Sequence, residues 1–151
     1  MHGQSARYTH TRVGVGGRMD TLQCAIVLAK LERFEWETAQ RIALGERYRA
    51  LLADAPGIDL LAVRADRDCV WAQYTVFLDN RAAVQAALQA QGIPTAVHYP
   101  KPLHHHPAYE ALGRSDGCPE SVRAAGRVMS LPMSADLTIA DQDRVVRTLL
   151  A

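Results

Sequence analysis

The first candidate for chemistry is a glycine-rich loop that ends in an arginine and leads directly into a helix. Gly14, Gly16 and Gly17 precede Arg18, and the apolar pattern of the helix begins after Asp20. Glycine lets the backbone approach another surface closely, and a guanidinium offers a planar fork of donors that fits phosphate or carboxylate. An aspartate before the first turn predicts an N-cap at the positive end of the helix dipole. The pattern predicts an anion-binding turn, with a plain turn and a surface arginine as the alternative.

The second candidate is a histidine-rich loop, HYPKPLHHHPAY, over residues 98–109. It holds four of the six histidines of the chain, and its three prolines stiffen the backbone. Three consecutive histidines cannot all point at one ion, and no cysteine, aspartate or glutamate lies among them, so we expect no metal site. Because α/β proteins commonly meet ligands at strand ends, the pattern favours a loop that presents His98 and Tyr99 to a ligand. A stiff surface loop with solvated histidines is the alternative.

The lysines and cysteines of the chain limit the covalent chemistry that it can carry out. Of 17 basic residues only Lys30 and Lys101 are lysines, one within a helical pattern and the other between two prolines. Neither position predicts the desolvation that lowers an amine pKa for Schiff-base chemistry. Cys24, Cys69 and Cys118 are odd in number and widely spaced, which argues against a disulfide framework or a zinc site. We therefore expect reduced thiols and no cofactor-bearing lysine.

The elements that must position these loops indicate an α/β fold. Residues 1–13 carry no core pattern and predict a loop or arm. Apolar spacings of three and four from Thr21 to about Ala53 predict one long helix or a bent pair, with Gly45 as the possible bend. Alternating strand and helix patterns after it predict a sheet with helices packed against it. The predicted strands cover 58–63, 70–78, 94–97 and 129–132, and the predicted helices cover 81–91, 120–128 and 138–150.

Composition narrows the class of protein. The 151 residues are 48% hydrophobic and 22% charged, with a net charge of +1. These values are typical of a globular domain and provide no electrostatic reason to expect nucleic acid or a membrane surface as a partner. No apolar run approaches the roughly 20 residues of a membrane-spanning helix, and the N-terminus has no signal-peptide core. We therefore expect a cytoplasmic protein.

Several segments, taken in order, resemble one family. They are Tyr8-x-His10, the run from Gly14 to Ile26, Gln73-Tyr74-Thr75, the run from Gly92 to His104, and Leu131-Pro132-Met133. Together they resemble the C-terminal part of the DegT/StrS-type nucleotide-sugar aminotransferases, and the likeness covers nearly all of the chain. The resemblance implies the small C-terminal domain of the aspartate-aminotransferase (type I pyridoxal-phosphate) fold, with a long N-terminal helix, a small, mostly antiparallel sheet and flanking helices.

The same resemblance implies a division of the chain. Residues 1–20 would form an arm and the glycine-rich loop, and residues 21–151 the α/β small domain, with the N-terminal cofactor-binding domain absent. Members of the family are homodimers whose active sites lie at the subunit interface, and the lysine that holds the cofactor lies in the N-terminal domain. This chain is therefore expected to be a C-terminal fragment that neither holds the cofactor nor catalyses transamination by itself.

The function implied by the resemblance is amino transfer from glutamate to a nucleotide-linked keto-sugar through pyridoxal 5'-phosphate. Such reactions feed polysaccharide, lipopolysaccharide or glycoside biosynthesis. A non-enzymatic α/β domain for ligand binding or interaction is the alternative, because the chain has no lysine at a cofactor-binding position.

Four residues carry the site that the resemblance implies. Gly16 stands at a cofactor-binding position where the family usually has asparagine, so only a backbone N–H remains there for the phosphate. Arg18 matches the arginine that reaches across the dimer to anionic substrate groups. His98 and Tyr99 match the pair at the sugar-nucleotide site, where an imidazole and a phenol can bond hydroxyl, carboxylate or diphosphate oxygens. Val122 stands about where the family often has an acidic residue.

Overall fold

The computed structural model describes residues 3–14, 16, 19–112 and 117–151. The described chain opens with a hairpin of β1 (Gln4–Ala6) and β2 (Thr9–His10), followed by helices α1 (Thr21–Leu31) and α2 (Phe34–Leu52). The elements that follow are β3 (Ile58–Leu60), β4 (Tyr74–Leu78), α3 (Arg81–Ala90), 3-10 turns at Leu103–His105 and Pro107–Leu112, α4 (Pro119–Arg127), β5 (Val128–Leu131) and α5 (Ile139–Leu149). This is the α/β architecture that the sequence predicts.

The central sheet is antiparallel, with the strand order β3-β4-β5. In β4 the side chains of Tyr74, Val76 and Leu78 are buried, while those between them are half-buried. This alternation follows from the period of two in a strand, and β-branched and aromatic residues suit such a pleated, partly covered surface. The register pairs Thr75 with Ser130, so these two side chains stand opposite each other on one face of the sheet.

The core lies between this sheet and the helices α2, α3 and α5. Its buried members are Tyr48, Leu52, Trp71, Tyr74, Val76, Leu78, Leu88, Ile93, Met129, Leu131, Val145, Val146 and Leu149. The hydroxyl of Tyr48 donates to the carbonyl of Pro132 at 3.0 Å. Burial raises the pKa of Tyr74 to about 12 and moves that of Tyr48 further upward. Both phenols therefore stay neutral at ordinary pH, as the apolar interior requires.

Helices α2 and α5 are joined by a polar contact inside the core. Gln142 of α5 is fully buried; its amide nitrogen donates to the carbonyl of Leu44 at 2.8 Å, and its amide oxygen accepts from Arg47 at 3.0 Å. Arg47 also donates to the carboxylate of Asp143 at 2.6 Å. A buried amide with satisfied donors and acceptors fixes how two helices pack.

Of the two alternatives for Thr21 to about Ala53, one long helix or a bent pair, the structure has a pair of helices, but the possible bend at Gly45 is wrong. The chain breaks between Leu31 and Phe34, whereas Gly45 lies buried within α2. A Cβ atom added to Gly45 would lie 2.1 Å from Cδ1 of the Trp71 ring. The glycine is therefore required by the close approach of an indole ring, not by a change of helix direction.

Four other expectations also need correction. The arm at residues 1–13 contains the β1–β2 hairpin, whose strands are too short to show a periodic pattern. The predicted strand at 70–78 begins only at Tyr74, because Trp71 has φ near 57°, outside the extended region. The predicted strand at 94–97 is a single bridge between Ala96 and Ser130, and pairing of the first sheet strand ends at Leu60 rather than at residue 63.

Candidate functional site

The four site residues that the sequence predicts differ in their surroundings, and one of them lies outside the described part of the chain. His98 and Tyr99 are adjacent on the loop that follows α3, with His98 half-buried and Tyr99 61% exposed. Gly16 is exposed, and a Cβ atom added to it would meet no other atom within 4 Å. Arg18 lies outside the described residues. The structure therefore brings together the imidazole and the phenol.

The turn before α1 has the local geometry that the sequence predicts. Asp20 is the N-cap of α1, and its carboxylate accepts from the backbone N–H of Gln23 at 2.8 Å. This bond satisfies one of the free donors at the helix start. The glycine-rich loop thus enters the helix through a defined cap.

The imidazole of His98 is hydrogen-bonded to the central sheet. Its Nδ1 lies 3.0 Å from Oγ of Ser130, which lies 3.0 Å from Oγ1 of Thr75. Ser130 is 4% exposed, and its backbone pairs with Ala96 on the side of β5 away from β4. The imidazole is therefore attached through one nitrogen to a hydroxyl that the strands themselves hold in place.

Tyr99 is supported by the N-terminal hairpin. The ring of Tyr8, in the turn between β1 and β2, lies edge-on to the ring of Tyr99 with 6.0 Å between centroids. Such an edge-to-face pair is a favourable arrangement of two aromatic quadrupoles. The hairpin thus touches the ring next to His98 while most of that ring stays open to solvent.

A second contact docks the hairpin. The rings of His10 in β2 and His106, between the two 3-10 turns, have centroids 4.8 Å apart, and the backbone N–H of His10 donates to Nδ1 of His106 at 3.3 Å. Burial lowers the pKa of His106, and the neighbouring His10 and Lys101 lower it further. At pH 7 His106 is therefore neutral, and since its Nδ1 accepts the bond from His10, its hydrogen lies on Nε2.

An open cleft of about 670 Å³ lies beside the pair. His98, Tyr99 and Lys101 line it, and α4 contributes small and apolar groups such as Ala124. A cleft of this size, with a few polar groups at one edge, is typical of a site for a small organic ligand. The arrangement can bind and orient an anionic or hydroxyl-rich molecule.

The described residues fit a substrate better than they fit a covalently held cofactor or a metal ion. Lys30 is exposed on α1 and Lys101 is half-buried at an open cleft, so neither lies in the closed, dry pocket that Schiff-base chemistry requires. Gly16 stands in open space and forms no phosphate cup by itself. Within the described ranges, no group of three or more histidine, cysteine, aspartate or glutamate side chains is placed to hold a metal. The thiols of Cys24, Cys69 and Cys118 are free.

Sequence reasoning missed three supporting residues and one member of the cleft. Thr75 and Ser130 hold His98, Tyr8 contacts Tyr99, and Lys101 lines the cleft. Thr75 and Tyr8 belong to the segments that carry the family resemblance, and Ser130 immediately precedes one of them. A signal for Thr75 and Tyr8 is therefore present in the sequence, but Ser130 is identified only by the strand pairing that brings it to Thr75 and His98.

None of the helices in the described part of the chain combines the length and apolar character that crossing a bilayer requires.

Comparisons with known proteins agree on one family. The model of the DegT/DnrJ/EryC1/StrS aminotransferase family matches residues 1–150. The UDP-2-acetamido-2-deoxy-3-oxo-D-glucuronate aminotransferase of Pseudomonas aeruginosa is 48% identical over 139 residues, which are 92% of this chain and 38% of that protein. The chain thus spans less than half of the length of this relative.

Superposition on solved structures agrees with this family assignment. A DegT DnrJ EryC1 StrS aminotransferase from Brucella abortus superposes with a TM-score of 0.79 at 35% identity, covering 98% of this chain and 40% of the other. The NtdA protein of Bacillus subtilis, with bound cofactor PMP, superposes with a TM-score of 0.75 at 25% identity, covering 98% and 36%. The small antiparallel sheet with flanking helices is therefore the arrangement found in these two solved structures.

Proposed function

Because the chain belongs to the DegT/DnrJ/EryC1/StrS aminotransferase family, we propose that it recognises the sugar nucleotide in a pyridoxal-phosphate enzyme. That enzyme would move an amino group from glutamate to a nucleotide-linked keto-sugar, in the cytoplasm, for polysaccharide or glycoside biosynthesis. The cofactor supplies the electron sink. The P. aeruginosa relative is more than twice as long as the stretch it shares with this chain. The cofactor-bearing lysine is therefore proposed to lie outside this chain, in a homodimer with shared sites.

One observation carries the proposal. His98 and Tyr99 stand side by side at a cleft of about 670 Å³, in a chain whose residues 1–150 match the family. An oriented imidazole beside an exposed phenol offers hydrogen bonds to the oxygens of a sugar or a diphosphate. The side chains are thus suited to hold a polar substrate while chemistry occurs elsewhere.

The charges of the site residues indicate the class of substrate. The P. aeruginosa relative carries in its name a UDP-linked 3-oxo sugar acid, which has a diphosphate and a carboxylate. We propose a substrate of this kind, with Arg18 as the partner of an anionic group and His98 and Tyr99 as partners of uncharged or diphosphate oxygens. A guanidinium and an imidazole together match such an acidic molecule better than they match a neutral sugar.

A chimera tests this function. The 139 matching residues of the P. aeruginosa enzyme are replaced by those of this chain, and transamination is measured with the 3-amino sugar nucleotide and 2-oxoglutarate. We expect the chimera to be active, and Arg18→Ala and His98→Ala each to raise the KM for the sugar nucleotide about tenfold or more, because each removes a hydrogen bond to a charged or polar group. The KM for 2-oxoglutarate should change little.

A matched arginine provides the control. Arg64 is exposed and pairs with Asp66, so Arg64→Ala should leave both KM values unchanged. A chimera that folds and holds the cofactor but does not act on sugar nucleotides would contradict the proposed function and would favour the non-enzymatic alternative. Unchanged KM values in Arg18→Ala would remove that arginine from the site.

A further inference from the structure

We propose that Ser130 and Thr75 are positioning residues for His98, forming a hydroxyl chain that fixes the orientation of its ring and leaves Nε2 as the hydrogen-bonding atom for substrate. The inference rests on the proposed substrate-binding role of His98. It adds two residues of the central sheet to the site, neither of which lies on the two loops that sequence analysis singles out.

The chain of atoms is short and continuous. Nδ1 of His98 lies 3.0 Å from Oγ of Ser130, and that oxygen lies 3.0 Å from Oγ1 of Thr75. Both separations are those of ordinary hydrogen bonds that involve a hydroxyl. The ring is thus tied to the sheet through one of its two nitrogens.

The strands hold the two hydroxyls in register. Thr75 and Ser130 are directly opposite residues of β4 and β5, and the backbone of Ser130 also exchanges two hydrogen bonds with Ala96, at 2.7 and 3.2 Å. Ser130 therefore sits between two neighbours and cannot shift without breaking pairs on both sides. A β-branched threonine adds a side chain with few χ1 choices.

Burial makes the bonds of Ser130 necessary. The residue is 4% exposed, so its hydroxyl must find partners inside the protein, and a buried hydroxyl without a partner is costly. Its two partners are the imidazole and the threonine. A serine hydroxyl has one hydrogen and two lone pairs, which is the correct set to donate to one neighbour and accept from the other.

Counting hydrogens assigns the tautomer. If Thr75 donates to Ser130 and Ser130 donates to Nδ1, both hydroxyl hydrogens are used, and neutral His98 carries its own hydrogen on Nε2. If the bonds ran the other way, the hydrogen of Thr75 would have no acceptor among the described residues. Each arrangement leaves one hydrogen without a protein partner, and we infer the first because its unbonded hydrogen belongs to His98, which lines the open cleft. This arrangement makes Nε2 a donor, as an oxygen-rich substrate requires.

Nuclear magnetic resonance on the 151-residue chain tests the proposal without any activity measurement. In protein labelled in histidine, ring nitrogen shifts at about pH 8, well above the ordinary histidine pKa, report the tautomer of His98. Carbon relaxation of the same ring reports how firmly it is held. In the wild type we expect one tautomer, Nε2–H, and a ring as ordered as the backbone, with an order parameter of about 0.85.

Variants of Ser130 and Thr75 test the contribution of each hydroxyl by itself. Ser130→Ala should populate both tautomers and lower the ring order, and Ser130→Cys, which nearly keeps the size, should do the same if the alanine variant does not fold. Thr75→Val should keep the single tautomer, because the hydrogen of Ser130 then has only the imidazole to bond, but should lower the ring order part of the way. Thr75→Ser should restore the wild-type values.

Thr95→Val is the matched control. Its hydroxyl accepts from Gln85 at 3.2 Å and belongs to the same small cavity as His98 without bonding to it. This variant should leave the tautomer and the ring order unchanged. An unchanged tautomer and ring order in a folded Ser130 variant would overturn the proposal, and unchanged ring order in Thr75→Val would overturn the part assigned to Thr75.

The chimera described above keeps this inference distinct from the proposed function. Ser130→Ala should raise its KM for the sugar nucleotide about fivefold with kcat unchanged, the ratio that one net hydrogen bond of about 1 kcal/mol sets. If the resonance results are as expected but the chimera does not act on sugar nucleotides, the positioning stands and the proposed function fails. If the chimera is active but the ring of His98 does not respond, the function stands and the positioning fails.

Discussion

Helices α1 and α2 follow each other after a short break, yet they differ in how far their side chains are buried. Helix α2 buries Leu44, Gly45, Tyr48 and Leu52 against the core. In α1 no residue is buried, and apolar side chains such as Leu22 and Leu28 are 73% and 66% exposed. Both helices have apolar residues at helical spacing in the sequence, so spacing alone does not reveal which face is covered.

The difference extends to the whole chain before α2. The N-terminal hairpin is attached through the pairs Tyr8–Tyr99 and His10–His106, whereas α2 and α5 share a fully buried amide and a common apolar cluster. Stability is thus concentrated after Phe34, and the segments before it are held by a few surface contacts. Changes in the two regions should therefore differ strongly in their effect on unfolding.

The largest effect is expected at Gly45. Gly45→Val places side-chain atoms where the Trp71 ring now lies, 2.1 Å from the position of the new Cβ, and overpacking of this kind costs about 3 kcal/mol. Urea unfolding measures the loss. Gly126→Ala is the control, since Gly126 lies in α4 with open space around it, and should stabilise the chain by about 0.5 kcal/mol. Equal values for the two variants would mean that Trp71 does not pack on α2 in solution.

The core was more predictable than the periphery because it follows simple periodic rules. The period-two pattern of β4 and the Thr138 cap of α5, where the hydroxyl accepts from the N–H of Asp141 at 3.1 Å, are local properties of the sequence. The role of Gly45 is not predictable from local patterns, because it depends on an indole ring 26 residues away in the chain. Local patterns do not encode such contacts.

The residues of the candidate site also differ in whether the sequence predicts them. His98 and Tyr99 could be selected because a histidine and a tyrosine at the start of a proline-rich loop resemble a known motif. Ser130 could not, since a serine in a short strand carries no signal of its own, and its link to His98 arises only from strand register. The hairpin that supports Tyr99 carries no recognisable pattern in the sequence, because its strands have only two and three residues.

A smaller effect is expected from pH at the hairpin. Burial holds the pKa of His106 below its ordinary value of 6.5. As the pH falls below about 6.5 the unfolded chain takes up a proton that folded His106 resists, so stability is full above this pH and declines below it. Urea unfolding between pH 7.5 and 5.5 should show this decline, and His106→Gln should reduce it. His105→Gln, at an exposed ring, should keep it; an identical decline in all three proteins would assign the effect to other groups.

The smallest effect is expected in α1. Leu22→Gln combined with Leu28→Gln removes two large apolar side chains from the helix, but both are mostly exposed and glutamine is a good helix former. The free energy of unfolding should therefore change by no more than about 0.5 kcal/mol. The same exchange at Leu88 of α3, which is fully buried, should cost several times more, since it places an amide in the core. A loss in the double variant that approaches the loss at Leu88 would show that α1 is covered in solution, and the contrast between the two helices would then not hold.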